Sequence, residues 1–190
     1  MDLEKLEQAA RLIIEAVGDD PDREGLKETP KRFADMMAEQ FAYTAVSNEE
    51  IAKEFEKTFA TPENDMVVVK DIPIFSHCEH HIALMYNMKA AVGYIPHGRV
   101  IGLSKIARIA DAVSKRFQIQ ERIGTDIRDI MEMVTSSPDV IVYIEGEHSC
   151  MTARGIKKPG TRTRTIASSG AFKTDAALRG EFMKLALGKE

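Results

Sequence analysis

The stretch 66-MVVVKDIPIFSHCEHHIALMYNMKAAVGYI-95 decides the fold. Met66 to Phe75 is β-branched and apolar, Ile82 to Tyr86 and Lys89 to Ile95 continue in the same manner, and Pro96-His97-Gly98 stops the run. These are expected strands, with Tyr86-Asn87-Met88 as a hairpin tip between the last two. The joint between the first two carries His77-Cys78-Glu79-His80-His81.

That joint has a counterpart about seventy residues later, His148-Ser149-Cys150, so both cysteines of the chain stand beside histidines. Cys78 and His81 form a C-x-x-H pair that can reach one ion from a strand end or tight turn, and Cys150 supplies a third ligand. Zinc takes thiolate and imidazole tetrahedrally; structural sites fill four positions, whereas catalytic sites keep one for water. Two cysteines and one histidine leave that position open. His80 and His148 are not needed as ligands and are suited to proton transfer near neutral pH. His77 reads as a bystander. A Cys78–Cys150 disulfide fits less well: the chain opens MDLEKLEQAA, without an apolar signal region, and a reducing cytoplasm is expected.

Outward from this centre, Leu3, Leu6, Ala10, Ile13 and Val17 recur at helical spacing before Gly18. Thr29-Pro30 has the form of an N-cap and first helical proline, followed by Phe33, Met36, Met37 and Phe41 on one face. Ser47 and Glu50 have capping-box spacing ahead of Ile51 and Phe55. Residues 1–60 are thus expected to be a helical extension and 61–190 the catalytic domain. Ser104 can cap a helix bearing Ile106, Ile109, Ala110 and Val113, and Ile123, Ile127, Ile130 and Val134 mark another. Val140 to Ile144 has a buried-strand pattern leading to the second half-site. Thr161 to Phe172 resembles a last strand, and Leu178, Phe182 and Leu185 a closing helix. The order strand, strand, helix, helix, strand, strand predicts an α+β fold, with helices packed on one face of an antiparallel sheet.

Hydrophobic residues make up 44% of the 190 and charged residues 29%, ordinary for a globular chain, and no stretch approaches a membrane span. A net charge of -4 argues against general nucleic-acid binding, while leaving room for a local basic cluster that holds a phosphorylated small molecule. Neither G-x-G-x-x-G nor a Walker loop is present, so a Rossmann or P-loop nucleotide site is not expected. The H-x-E and P-C-x-x-C pattern of zinc deaminases is also missing.

With these motifs assembled, the sequence resembles the GTP cyclohydrolase I family over most of its length. The resemblance is carried by DPDREGLKETPKR at 20–32, HCEHH at 77–81, GYIPHGRVIGLSKIARI at 93–109, QERI at 120–123 and HSCMTARGIKKPG at 148–160. It implies the tunnelling fold, in which ββααββ units associate around a ring, commonly as a homodecamer of two pentamers with sites at subunit interfaces. It also implies Zn2+ held by Cys78, His81 and Cys150, in agreement with the spacing argument, and His80 and His148 as catalytic histidines.

By the same resemblance, the carboxylate of Glu121 recognises guanine. Ser104, Lys105, Arg108 and Arg154 fall at positions associated with ribose and triphosphate, where guanidinium groups bind phosphate oxygens in bidentate fashion. Arg32 in TPKR is a further candidate for that role. The implied reaction converts GTP to 7,8-dihydroneopterin triphosphate and formate, the first step of folate and pterin biosynthesis.

Overall fold

The computed structural model describes residues 1–188. In chain order its elements are α1 (Leu3–Ala16), α2 (Thr29–Gln40), α3 (Asn48–Glu54), β1 (Thr58–Ala60), β2 (Val67–Cys78), β3 (Ala83–Tyr94), β4 (Arg99–Ile101) and α4 (Leu103–Ser114). There follow β5 (Phe117–Gln118), α5 (Gln120–Thr135), β6 (Val140–His148), α6 (Ser149–Thr152), β7 (Thr163–Ser168), α7 (Gly170–Thr174) and α8 (Ala176–Leu187). The 61–190 span expected for the catalytic domain ends two positions beyond the described residues.

β2 and β3 form a long antiparallel hairpin at the centre of a five-stranded sheet ordered β5-β2-β3-β6-β7, and β1 and β4 make a separate two-stranded sheet. Every pairing in the larger sheet is antiparallel except the short β2–β5 contact. Tyr86-Asn87-Met88, expected as a hairpin tip, instead lies within the continuous strand β3. The β3–β6 register shifts between Tyr86 and Lys89, and Asn87 takes a φ of 50°, so the turn-like residues mark a bulge. Asp71 does the same on β2 at a φ of 56°. Asn and Asp tolerate left-handed backbone better than branched residues do, which is why a bulge carries turn chemistry.

The alternation along β6 separates two cores. Val140, Val142 and Ile144 face the main core, where Ile106 and Ile109 of α4 and Ile123, Ile127 and Ile130 of α5 are fully buried. Each such side chain contributes roughly 1.5–3 kcal/mol by leaving water. The central helices therefore lie on one sheet face, as the strand and helix order requires. Ile141 and Tyr143 face the other side, where Phe172 of α7 and Phe182 of α8 cover part of the sheet. Gly93 on β3 makes this possible: a Cβ there would come within 2.7 Å of the Phe182 ring.

Several boundaries move from the sequence expectation. The helix expected to begin at a Thr29 cap has Glu28 at its N-cap, with Thr29 already helical. Ser104 lies inside α4, whose N-cap is Gly102. The Thr161–Phe172 run splits into β7, which ends at Ser168, and α7, which opens at Gly170 with a φ of 50°. The Ser47–Glu50 capping box forms with both hydrogen bonds present.

α3 is built into the main core through Ile51 and through Phe55, the residue that caps its C-terminus. Arg116 fastens the preceding loop: its guanidinium donates to the carbonyls of Tyr43 and Val46 and to Asn48 Oδ1, and pairs with Asp126 of α5. Among the described residues no helix is long and apolar enough to cross a membrane.

Candidate active site

Cys78 is the last residue of β2, and the tight turn that follows presents His81. Ile82 N–H donates back to the Cys78 carbonyl at 2.9 Å, closing the turn with Ile82 at a φ of 52°. A β-branched residue adopts that backbone only at a cost of about 1–3 kcal/mol, which the surrounding contacts must over-determine. They do so from β5 and α5: Glu79 N–H donates to the carbonyl of Gln118 on β5 at 3.0 Å, and the Glu79 carboxylate pairs with Arg122 of α5. Arg122 Nε in turn donates to Gln118 Oε1 at 2.9 Å.

The second half-site arrives on β6 and the single turn α6. Ser149 Oγ donates to the Leu84 carbonyl at 2.7 Å, and Tyr86 OH hydrogen-bonds Thr152 Oγ1 at 2.9 Å, so both contacts pin α6 to β3. Cys150 is thereby brought beside the first half-site. One donor atom from each of Cys78, His81 and Cys150 lies within 4.8 Å of the others, and Cys78 Sγ is 3.7 Å from His81 Nδ1. Cys78 is buried, Cys150 half-buried and His81 exposed, so the cluster opens outward on the imidazole side. Two thiols and one imidazole at this separation fit a zinc ion and discriminate against hard, oxygen-seeking cations. Burial and the neighbouring Cys78 push the Cys150 thiol up, with Arg154 pulling the other way. A metal entering here must displace a proton from sulfur.

His148, half-buried, sits two residues before Cys150. Its Nε2 is 2.8 Å from Oε1 of Gln120, the first residue of α5. Burial lowers its affinity for a proton, opposed by the nearby charge of Glu121. His80 is exposed on the turn, its ring 6.4 Å from that of His81. His77 points elsewhere: it is buried against Phe41, ring centroids 5.0 Å apart, and is not among the clustered ligands. Its Nδ1 is buried without a partner, and burial lowers its pKa.

The candidate substrate residues divide into three groups. Glu121 and Arg154 are exposed and lie near enough to act electrostatically on His148 and Cys150 respectively. Glu121 also lines a cavity of about 400 Å³ between α5 and β7. Ser104 and Arg108 are exposed on α4 and Lys105 half-buried beside them, but the ammonium of Lys105 donates to the carbonyls of Phe55 and Lys57, at 3.3 and 3.0 Å, and so braces the α3–β1 junction. Arg32 is exposed on α2, and nothing in the hydrogen bonding of that helix ties it to the Cys–His–Cys cluster. Gln118, Gln120 and Arg122 carry contacts that the sequence did not single out as functional. For Gln120 and Arg122 the available signal was their place beside Glu121 in the QERI segment; Gln118 lies just before it.

A family model described as GTP cyclohydrolase I matches residues 6–187. Relatives named GTP cyclohydrolase 1 include one from Clostridium acetobutylicum, 58% identical over 190 residues and covering 97% of each chain. Others come from Clostridium beijerinckii, 58% identical over 95% of each chain, and Clostridium botulinum, 56% identical over 97%. With matches over nearly the whole length, the chain belongs to the GTP cyclohydrolase I family.

Proposed function

We propose that this chain acts on GTP as a zinc-dependent cyclohydrolase, releasing carbon 8 of the guanine ring as formate and yielding 7,8-dihydroneopterin triphosphate, the entry to folate and pterin biosynthesis. The observation that carries this reading is the juxtaposition of the Cys78–His81–Cys150 donor set with His148 and Glu121. When bound, zinc supplies the Lewis acidity that makes water a nucleophile near neutral pH. Glu121 accepts from the ring N–H and exocyclic amine of guanine. Arg108 and Arg154 take triphosphate oxygens, joined by Ser104 and, through a change in its present contacts, Lys105; Arg32 belongs to this group only if a neighbouring chain completes the site. These phosphate contacts provide remote binding energy that holds the base in place. His148 and His80 receive and return protons as the imidazole ring of guanine opens and the sugar carbons reclose on the exposed amine.

A homo-oligomer, a decamer of two pentamers, agrees with apolar side chains exposed at both sheet edges, Phe117 on β5 and Ile166 on β7. Cytoplasmic residence and a catalytic domain at 61–190 complete the proposal. Incubation of the zinc-loaded protein with GTP, with formate and the fluorescence of the oxidised pterin followed together, tests it. Both products are expected, and neither in a chelated sample. Absence of both from a zinc-loaded, assembled protein would contradict the reading.

A further inference from the structure

Gln120 is 1% exposed, although its side chain is polar, and every polar atom of its amide has a partner. Its Nε2 lies 3.1 Å from the carbonyl oxygens of both Ile144 and Thr163 and 3.3 Å from Thr165 Oγ1. Carbonyl oxygens can only accept, so the amide edge facing them must be the nitrogen. The opposite edge, facing His148 Nε2 at 2.8 Å, is then the oxygen, which carries no hydrogen. A hydrogen bond between these two atoms exists only if the ring nitrogen supplies the proton.

We infer that Gln120 is a positioning residue that fixes the neutral His148 ring with its hydrogen on Nε2, leaving Nδ1 as the ring's basic nitrogen. This rests on the reading of His148 as a proton-transfer group and makes it specific. The proton taken during ring opening binds the Nδ1 lone pair and gives an imidazolium that keeps its Nε2–H on Gln120. The same proton later leaves from Nδ1, restoring the starting tautomer. Gln120 itself neither gains nor loses a proton, and its burial and full set of partners keep it from contacting substrate. The choice of glutamine follows: a carboxylate at 120 would face two carbonyl oxygens with no hydrogen to offer them.

Magic-angle-spinning NMR of the zinc-loaded protein labelled with 15N-histidine reads the ring directly. The His148 signals are those absent from a His148→Gln variant, which retains an N–H donor toward Gln120 but has no ring base. A protonated Nε2 and an unprotonated Nδ1 are expected. In Gln120→Leu both tautomers are expected to appear and kcat to fall about tenfold, on the scale of one lost hydrogen bond, with KM for GTP and zinc content unchanged. An unprotonated Nε2 in the unmodified protein, while His148→Gln is inactive, would overturn the Gln120 assignment alone. Full turnover by His148→Gln would overturn the proton-transfer reading and the role of Gln120 with it. A Gln120→Leu variant with the tautomer and kcat unchanged would also overturn the assignment.

Discussion

Met85 on β3 lies directly opposite His148 on β6 in the antiparallel ladder, and that register assembles the site. On its other side β3 pairs with β2, with Ala83 opposite Cys78. The end of β2 and the end of β6 therefore meet across two residues of β3. A one-residue slip of β6 would turn His148 to the opposite face of the sheet.

Cys150→Ser removes a soft ligand and leaves a weaker, harder oxygen. Zinc affinity is expected to fall by more than the roughly 10- to 100-fold that loss of a supporting contact costs. Zinc content after dialysis against a graded chelator series measures this, and full retention would remove Cys150 from the ligand set.

Burial holds His148 below the ordinary imidazole range while Glu121 pulls it upward. The neutral, proton-accepting ring thus persists to lower pH than free imidazole, and a bound cation would push the same way. The acidic limb of kcat/KM is expected below about 6.5. Glu121→Gln, which removes the raising charge, should displace that limb further to acid. Displacement toward higher pH would contradict the assignment.

Glu121→Gln also exchanges a charged acceptor for an amide that offers a donor to the guanine edge. Hydrogen bonds to charged groups contribute about 1.5–3 kcal/mol, so GTP binding is expected to weaken by roughly 10- to 100-fold, with ATP binding little changed. Equilibrium binding of both nucleotides to each protein settles the comparison. Equal loss for both would point to general damage.

Arg116→Met should destabilise the chain without touching the chemistry. It would strip hydrogen bonds from two backbone carbonyls and leave Asp126 without its partner guanidinium; both side chains of that ion pair are under 15% exposed, at 14% and 13%. Breaking such a pair costs about 3–5 kcal/mol. The urea midpoint reports the change, while kcat per folded, zinc-loaded chain should hold.

Much of this fold was legible because its signals are local. Ile123, Ile127 and Ile130 repeat at helical spacing, the Ser47–Glu50 box caps α3, and C-x-x-H is a spacing confined to one turn. Cys150 was legible as a candidate ligand because Cys78 is its one fellow cysteine in the sequence, and the structure brings the two together with His81. What remained hidden depends on register and on distant partners. Asn87 has the chemistry of a turn residue, and only the pairing of β3 with both neighbours shows that it occupies a bulge. Gln120 opens the QERI segment, but that segment assigns a role only to Glu121; the contacts of Gln120 are set by Ile144, Thr163 and His148, which come to it from two strands. The resemblance places Lys105 with the ribose and triphosphate contacts, yet in the structure its ammonium donates to the carbonyls of Phe55 and Lys57.

X-ray absorption at the zinc edge, on protein stripped and reloaded to one metal per chain, tests the central claim most directly. The account predicts two sulfur scatterers at about 2.3 Å and one imidazole nitrogen near 2.0 Å, with an oxygen as the fourth neighbour. Loss of one sulfur in Cys150→Ser should accompany loss of formate release. A shell filled by four protein sulfur and nitrogen ligands, or one without sulfur, would contradict a catalytic centre built from Cys78, His81 and Cys150.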